Sequence, residues 1–117
     1  TRSSAYGLLF RMRSDGGGFY YFYILDGKPS YGIDLFVDGE WSSIQPTTLS
    51  EAINLNGRNQ LAVIAEGKHI ACYINGVQVQ SFDDNRLLSG GLGLGFSLAQ
   101  PAGSAVFRLD NFLVLAR

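Results

Sequence analysis

From Ala5 onward apolar and polar side chains alternate with period two, in strand-length segments separated by turn signals. In the first segment, Ala5 to Arg13, the apolar set Leu8, Phe10 and Met12 lies opposite Arg11 and Arg13. In Phe19 to Leu25 (FYYFYIL), Tyr20, Phe22 and Ile24 share one face, and Phe19, Tyr21 and Tyr23 share the other. In Ser30 to Val37, Tyr31, Ile33, Leu35 and Val37 alternate with Asp34 and Phe36. Asp38-Gly39 then turns the chain into Glu40 to Ile44. Gln60 to Ala65, His69 to Ile74 and Val77 to Phe82 follow, the last two joined by Asn75-Gly76. Asn-Gly is the strongest short hairpin signal, because a type I′ turn needs positive φ at both central residues. Gly91 to Leu98, Ala105 to Leu109 and Phe112 to Leu115 bring the set to about nine strands. Gln45 to Asn59 lacks alternation and has room for one helical turn at Ser50 to Ile53.

The pattern predicts an all-β fold, an antiparallel two-sheet sandwich. Its expected core is Leu8, Phe10, Tyr20, Phe22, Ile33, Leu35, Leu61, Val63, Ile70, Cys72, Ile74, Leu92, Leu94, Phe96 and Phe107. A length of 117 residues fits one domain, 1–117. With 46% apolar residues the chain is too rich for disorder. Its formal net charge of −1 comes from 9 basic and 10 acidic residues spread along the chain. A nucleic-acid groove or an anionic membrane surface needs clustered positive charge, so a glycan or a protein surface is the better partner. The longest apolar run is far too short to span a bilayer. Cys72 stands alone, so no internal disulfide forms, and its alternating segment reads it as a small buried side chain. The chain opens at Thr1 almost directly in a strand, as expected of a segment of a larger protein.

Several segments together resemble the laminin-G/concanavalin A-like jelly-roll superfamily: YGLLFR (6–11), FYYFYI (19–24), LFVDGEW (35–41), RNQLAV (58–63), YING (73–76), GGLGLGF (90–96) and LDNFLV (109–114). The nearest likeness is to bacterial laminarinase-like, family-16-type non-catalytic sandwich modules appended to larger envelope proteins. The resemblance implies two packed sheets, a lectin-like, carbohydrate-binding or interaction role, and an extracellular or cell-envelope setting. It also implies two or three strands ahead of YGLLFR that this chain lacks. The expected unpaired edges are then Ala5 to Arg13 or Phe112 to Leu115, open to the missing N-terminal segment or to a homodimer. Trp41 falls at the family's tryptophan position, where a packing role is implied; packing in the core or at the rim is favoured over a binding platform.

Catalysis finds little support among the residue types. A retaining glycosidase needs two carboxylates on one face, about 5–5.5 Å apart, and the nearest series is Asp34, Asp38 and Glu40, broken by the Asp38-Gly39 turn. His69 lies three residues from Cys72, hence on the opposite face of the strand, and no G-x-S-x-G elbow accompanies it. Gly90 to Gly95 alternates with leucines as a strand does, and no helix follows to hold a phosphate. The chain is therefore expected not to be an enzyme and to need no cofactor. Calcium at the sandwich rim has weak candidates in Asp83, Asp84 and Asp110. The informative feature is the aromatic hairpin. With the apolar sets inward, the outward face collects Arg11, Arg13, Phe19, Tyr21, Tyr23, Asp34 and Phe36. Aromatic faces for C–H surfaces beside charged groups for hydroxyls suit a sugar, although tyrosine and arginine also favour protein interfaces.

Overall fold

The computed structural model describes residues 5–25, 29–54, 59–97 and 112–116, and within them every element is a strand. They are β1 (Ala5–Met12), β2 (Gly18–Leu25), β3 (Ser30–Val37), β4 (Glu40–Leu49), β5 (Leu61–Glu66), β6 (His69–Ile74), β7 (Val77–Asp83), β8 (Gly91–Ser97) and β9 (Phe112–Ala116). They form a five-stranded sheet ordered β4-β3-β2-β1-β8 and a four-stranded sheet ordered β7-β6-β5-β9. All pairings are antiparallel except that of β5 with β9, which is parallel.

The inward faces are those the alternation selects. Leu8, Phe10, Tyr20, Phe22, Ile33 and Leu35 from the first sheet meet Leu61, Val63, Ile70, Cys72 and Ile74 from the second, all buried. Leu92, Leu94 and Phe96 are paired in register with Phe10, Leu8 and Tyr6; the burial of their side chains, like Phe107 and the segment 105–109, lies outside the described residues. Burial pushes the Cys72 thiol well above its ordinary pKa, which leaves it an inert packing group. Both Asp38-Gly39 and Asn75-Gly76 have positive φ at both residues, as their type I′ reading requires.

Two segments differ from expectation. β4 runs on to Leu49 through Pro46, because it is the outermost strand and a missing N–H there leaves no ladder partner unsatisfied. Its register against β3 shifts on both sides of Ile33, which hid the alternation. Ser50 to Ile53 makes a single turn, with the Ile53 N–H donating to the Ser50 carbonyl at 3.4 Å. Ala5–Met12 is no edge, since it lies between β2 and β8, whereas Phe112–Ala116 is the outermost strand of its sheet.

Polar tips cross from the five-stranded sheet to the other layer at several points. The Tyr20 hydroxyl donates to Asp84 Oδ1 at 2.8 Å, and the Tyr31 hydroxyl donates to the Val79 carbonyl at 2.8 Å. Asn59 Nδ2 donates to the Tyr6 hydroxyl at 3.0 Å. Arg11 makes the strongest such link. The β1–β8 register slips between Phe10 and Met12, and Arg11 takes φ 52° at the slip. A bulge of this kind re-aims a side chain. The guanidinium is buried, and its Nη1 donates to the Gly67 carbonyl at 2.5 Å and the Leu87 carbonyl at 3.1 Å. Because hydrogen bonds from a charged donor contribute more than neutral ones, Arg11→Ala is expected to lose about 2–3 kcal/mol of stability. Urea denaturation of the variant measures it; an unchanged midpoint would show the crossing to be dispensable.

Candidate functional site

The outward face of the five-stranded sheet is built by cross-strand rows. Gly7, Tyr23 and Gly32 form one row; Leu9, Tyr21, Asp34 and Ser43 form the next; Phe19, Phe36 and Trp41 form a third. Gly93 and Gly95 extend the first two rows across β8, opposite Leu9 and Gly7. Aromatic and β-forming side chains dominate because both faces of β2 must be covered by neighbours on the pleat.

Five of the seven expected residues share this face: Phe19, Tyr21, Tyr23, Asp34 and Phe36 are half-buried across β2 and β3. The two arginines depart from the expectation. Arg11 is turned into the interior by its bulge and holds backbone carbonyls there, so it is not part of the outward face. Arg13 lies at the end of the hairpin, where its Nη1 donates to Asp38 Oδ1 at 2.8 Å. Asp34 is therefore the carboxylate among the tyrosines, and no ion pair of Asp34 is found among the described residues.

The tyrosine rings engage each other. Tyr21 and Tyr23 stack on each other with centroids 4.9 Å apart and an interplanar angle of 27°. Tyr23 reaches across β3: a Cβ on Gly32 would lie 2.4 Å from its hydroxyl oxygen, so the glycine makes room for the ring. Burial raises the Tyr23 pKa, with Thr47 and Asp34 near its hydroxyl. Burial raises the Asp34 pKa, partly offset by the hydrogen bond from Tyr23. The Tyr21 hydroxyl is buried with no hydrogen-bond partner among the described residues. Burial first, then the neighbouring Tyr23 and Asp34 charges, push its pKa up to about 12.

Trp41 is the residue that the sequence reading placed in the core or at the rim. It is 57% exposed on the outward face. Phe19 meets it at 5.6 Å and 77°, and Phe36 meets it at 5.0 Å and 51°. The signal was the Asp38-Gly39 hairpin itself, whose two-residue loop sets Trp41 opposite Phe36.

Catalytic and metal constellations fare differently from the aromatic face. Asp38 sits in the turn, paired with Arg13, and strand alternation puts Glu40 on the face opposite Trp41, so neither joins Asp34. Asp83 accepts from His69 Nδ1 at 2.8 Å. Asp84 accepts from Tyr20 and from the Arg86 guanidinium and backbone N–H. Burial works against the Asp84 charge, yet the Arg86 and Tyr20 hydrogen bonds hold its pKa below the ordinary value. Asp84 is thus paired with a guanidinium, and Asp83 with a histidine. Among the described residues no cluster of three His, Cys, Asp or Glu groups suits a metal, and Asp110 lies outside them.

Two expectations about stability follow from the tyrosine–aspartate row. Removing an unpartnered buried hydroxyl relieves a desolvation penalty, so Tyr21→Phe is expected to gain about 1 kcal/mol, or about 4 °C in the thermal midpoint. A lowered midpoint would mean the hydroxyl is satisfied. Asp34, with its folded pKa raised, contributes stability that is full below the unfolded value and lost as pH rises through the folded one. Asp34→Asn, which mimics the protonated group, should therefore melt higher than the wild type at pH 7, and the gap should close on acidification. Paired melts across that range check the sign.

No protein-family model matches the chain, and no curated protein matches it in sequence. Among solved structures it is similar to the carbohydrate-binding module CBM66 from Bacillus subtilis, with a TM-score of 0.68 and 23% identity. The match covers 80% of this chain and 58% of that one, so the chain spans little more than half the length of the module it resembles. At this identity the likeness establishes the fold: an all-β, two-sheet sandwich of the jelly-roll kind.

Proposed function

We propose that the chain is a non-catalytic carbohydrate-binding, lectin-like module that takes a glycan on the outward face of its five-stranded sheet. The observation that carries this reading is the composition of that face: a half-buried carboxylate, Asp34, set among aromatic side chains and directly opposite Tyr21. Sugars present C–H surfaces to aromatic rings and hydroxyls to carboxylates, and a shallow sheet face of this kind can hold both. A solved structure of similar fold is named as a carbohydrate-binding module, which favours the reading. Among the described residues no second carboxylate shares the face of Asp34 for acid–base hydrolysis, which favours binding over catalysis. The surroundings we infer are those of the laminarinase-like, laminin-G-type modules: a segment of a bacterial protein that is secreted or held at the cell envelope. A glycan array is the test. Specific binding should be lost at least tenfold in Tyr23→Ala, with folding checked by circular dichroism; an array with no specific signal would remove the proposal.

A second reading rests on Phe112–Ala116, the outermost strand of the four-stranded sheet among the described residues. Its sequence, FLVLA, has no proline or lysine to blunt strand addition. Two copies pairing these edges across a two-fold axis would form one continuous sheet. Sedimentation across a wide dilution range should then show a monomer–dimer equilibrium; a monomer throughout, with the β9 amides protected from exchange, would exclude it.

A further inference from the structure

We propose that Trp41 and Asp34 form a subsite for one neutral sugar unit, the indole packing on its C–H face and the carboxylate accepting its hydroxyls, in discrimination against acidic sugars. This deepens the carbohydrate reading and rests on it.

Ring geometry selects Trp41. Tyr21 and Tyr23 are stacked, and so are Phe19 and Phe36, at 5.2 Å and 28°, so each of these rings turns a face toward its neighbour. Neither ring contact of Trp41 is parallel, and more than half of its surface is exposed. Phe19 and Phe36 instead prop the indole and fix its orientation. An aromatic ring that is oriented by packing and open to solvent is a preorganised platform, since little side-chain entropy remains to be lost on binding.

Register supplies the distance. Asp34 is opposite Ser43 and Phe36 is opposite Trp41, which makes Asp34 and Trp41 diagonal neighbours on one face. Diagonal residues lie about 7–8 Å apart, a gap that a single sugar ring over the indole bridges with its hydroxyls. The Ser43 hydroxyl stands in the Asp34 row as a further polar group.

Charge sets the selectivity. The arginine that alternation would have put beside the tyrosines is buried on Gly67 and Leu87, and the other is tied to Asp38. Among the described residues Asp34 is thus left with a tyrosine and no cation among its partners, and burial already disfavours its charge. A uronate or sulfate at the same place would set a second anion beside it with no described cation to neutralise either one. Neutral hydroxyls, by contrast, stabilise the carboxylate by hydrogen bonding.

Affinity gel electrophoresis of the intact chain tests this, with neutral homopolysaccharides of hexoses and pentoses in one set of gels and polygalacturonate and alginate in another. At least one neutral polymer should retard the protein and the acidic polymers should not. Trp41→Ala and Asp34→Asn should each weaken retardation at least tenfold, while Trp41→Tyr keeps part of it. Wild-type retardation should also fall as pH drops through the protonation of Asp34, which burial raises from the ordinary aspartate value. Thermal melts confirm that each variant is folded. Equal retardation by acidic polymers, or wild-type behaviour of Trp41→Ala, would overturn the subsite and leave the carbohydrate reading standing. No retardation by any polymer would overturn both.

Discussion

The register of Gly18–Leu25 against its two neighbours is the constraint on which the rest depends. This strand is aromatic on both sides, so its own composition barely decides which face turns inward, and a one-residue slip would exchange them. The decision is made by what surrounds it. Leu8 and Phe10 on one flank, and Ile33 and Leu35 on the other, are buried in the core, whereas the opposite sides of the same strands hold Gly7 and Leu9, and Gly32, Asp34 and Phe36. The polar tips then lock the choice. Tyr20 can be fully buried because its hydroxyl reaches Asp84, and Tyr31 because its hydroxyl reaches Val79. With Tyr20, Phe22 and Ile24 committed to the core, Phe19, Tyr21 and Tyr23 have only the outward face.

That outward face carries two features that burden the fold. A buried hydroxyl has no partner among the described residues, and a half-buried carboxylate holds a charge that its surroundings disfavour. Groups of this kind are common where a surface is shaped for something other than its own stability. Elsewhere in the same molecule buried polar groups are handled differently. Asn59 both donates to Tyr6 and the Asn54 carbonyl and accepts from the Asn54 amide and from Asn75. The contrast between a saturated network at the sandwich end and an unsaturated one on the sheet face is what distinguishes scaffold from site.

Most of the strand layout was legible because period-two patterning and Asx-Gly turns are local signals. The inward set from Leu8 to Ile74 and both hairpins could be read from them. Arg11 could not, since nothing in YGLLFR marks the slip that reverses its direction; the bulge is a product of pairing with β8, far along the chain. The extension of β4 past Pro46 was hidden for a related reason, because whether proline is tolerated depends on whether the strand is an edge. The exposure of Trp41 carried no local signal: it packs on Phe19 and Phe36 on the outermost described strand of its sheet, yet more than half of it stays open. The parallel pairing of β9 with β5 carries no local signature at all.

Trp41 is the chain's single tryptophan, and it stands on the face argued to receive a ligand. Selective excitation at the red edge of protein absorption therefore addresses one indole at one place. Its emission colour depends on how much water surrounds it, and a half-uncovered indole emits toward the red. Any molecule settling over the sheet would displace that water and move the spectrum toward the blue, whereas a partner docking on the opposite sheet would leave it untouched. The protein thus contains its own optical reporter for which of its two faces is occupied.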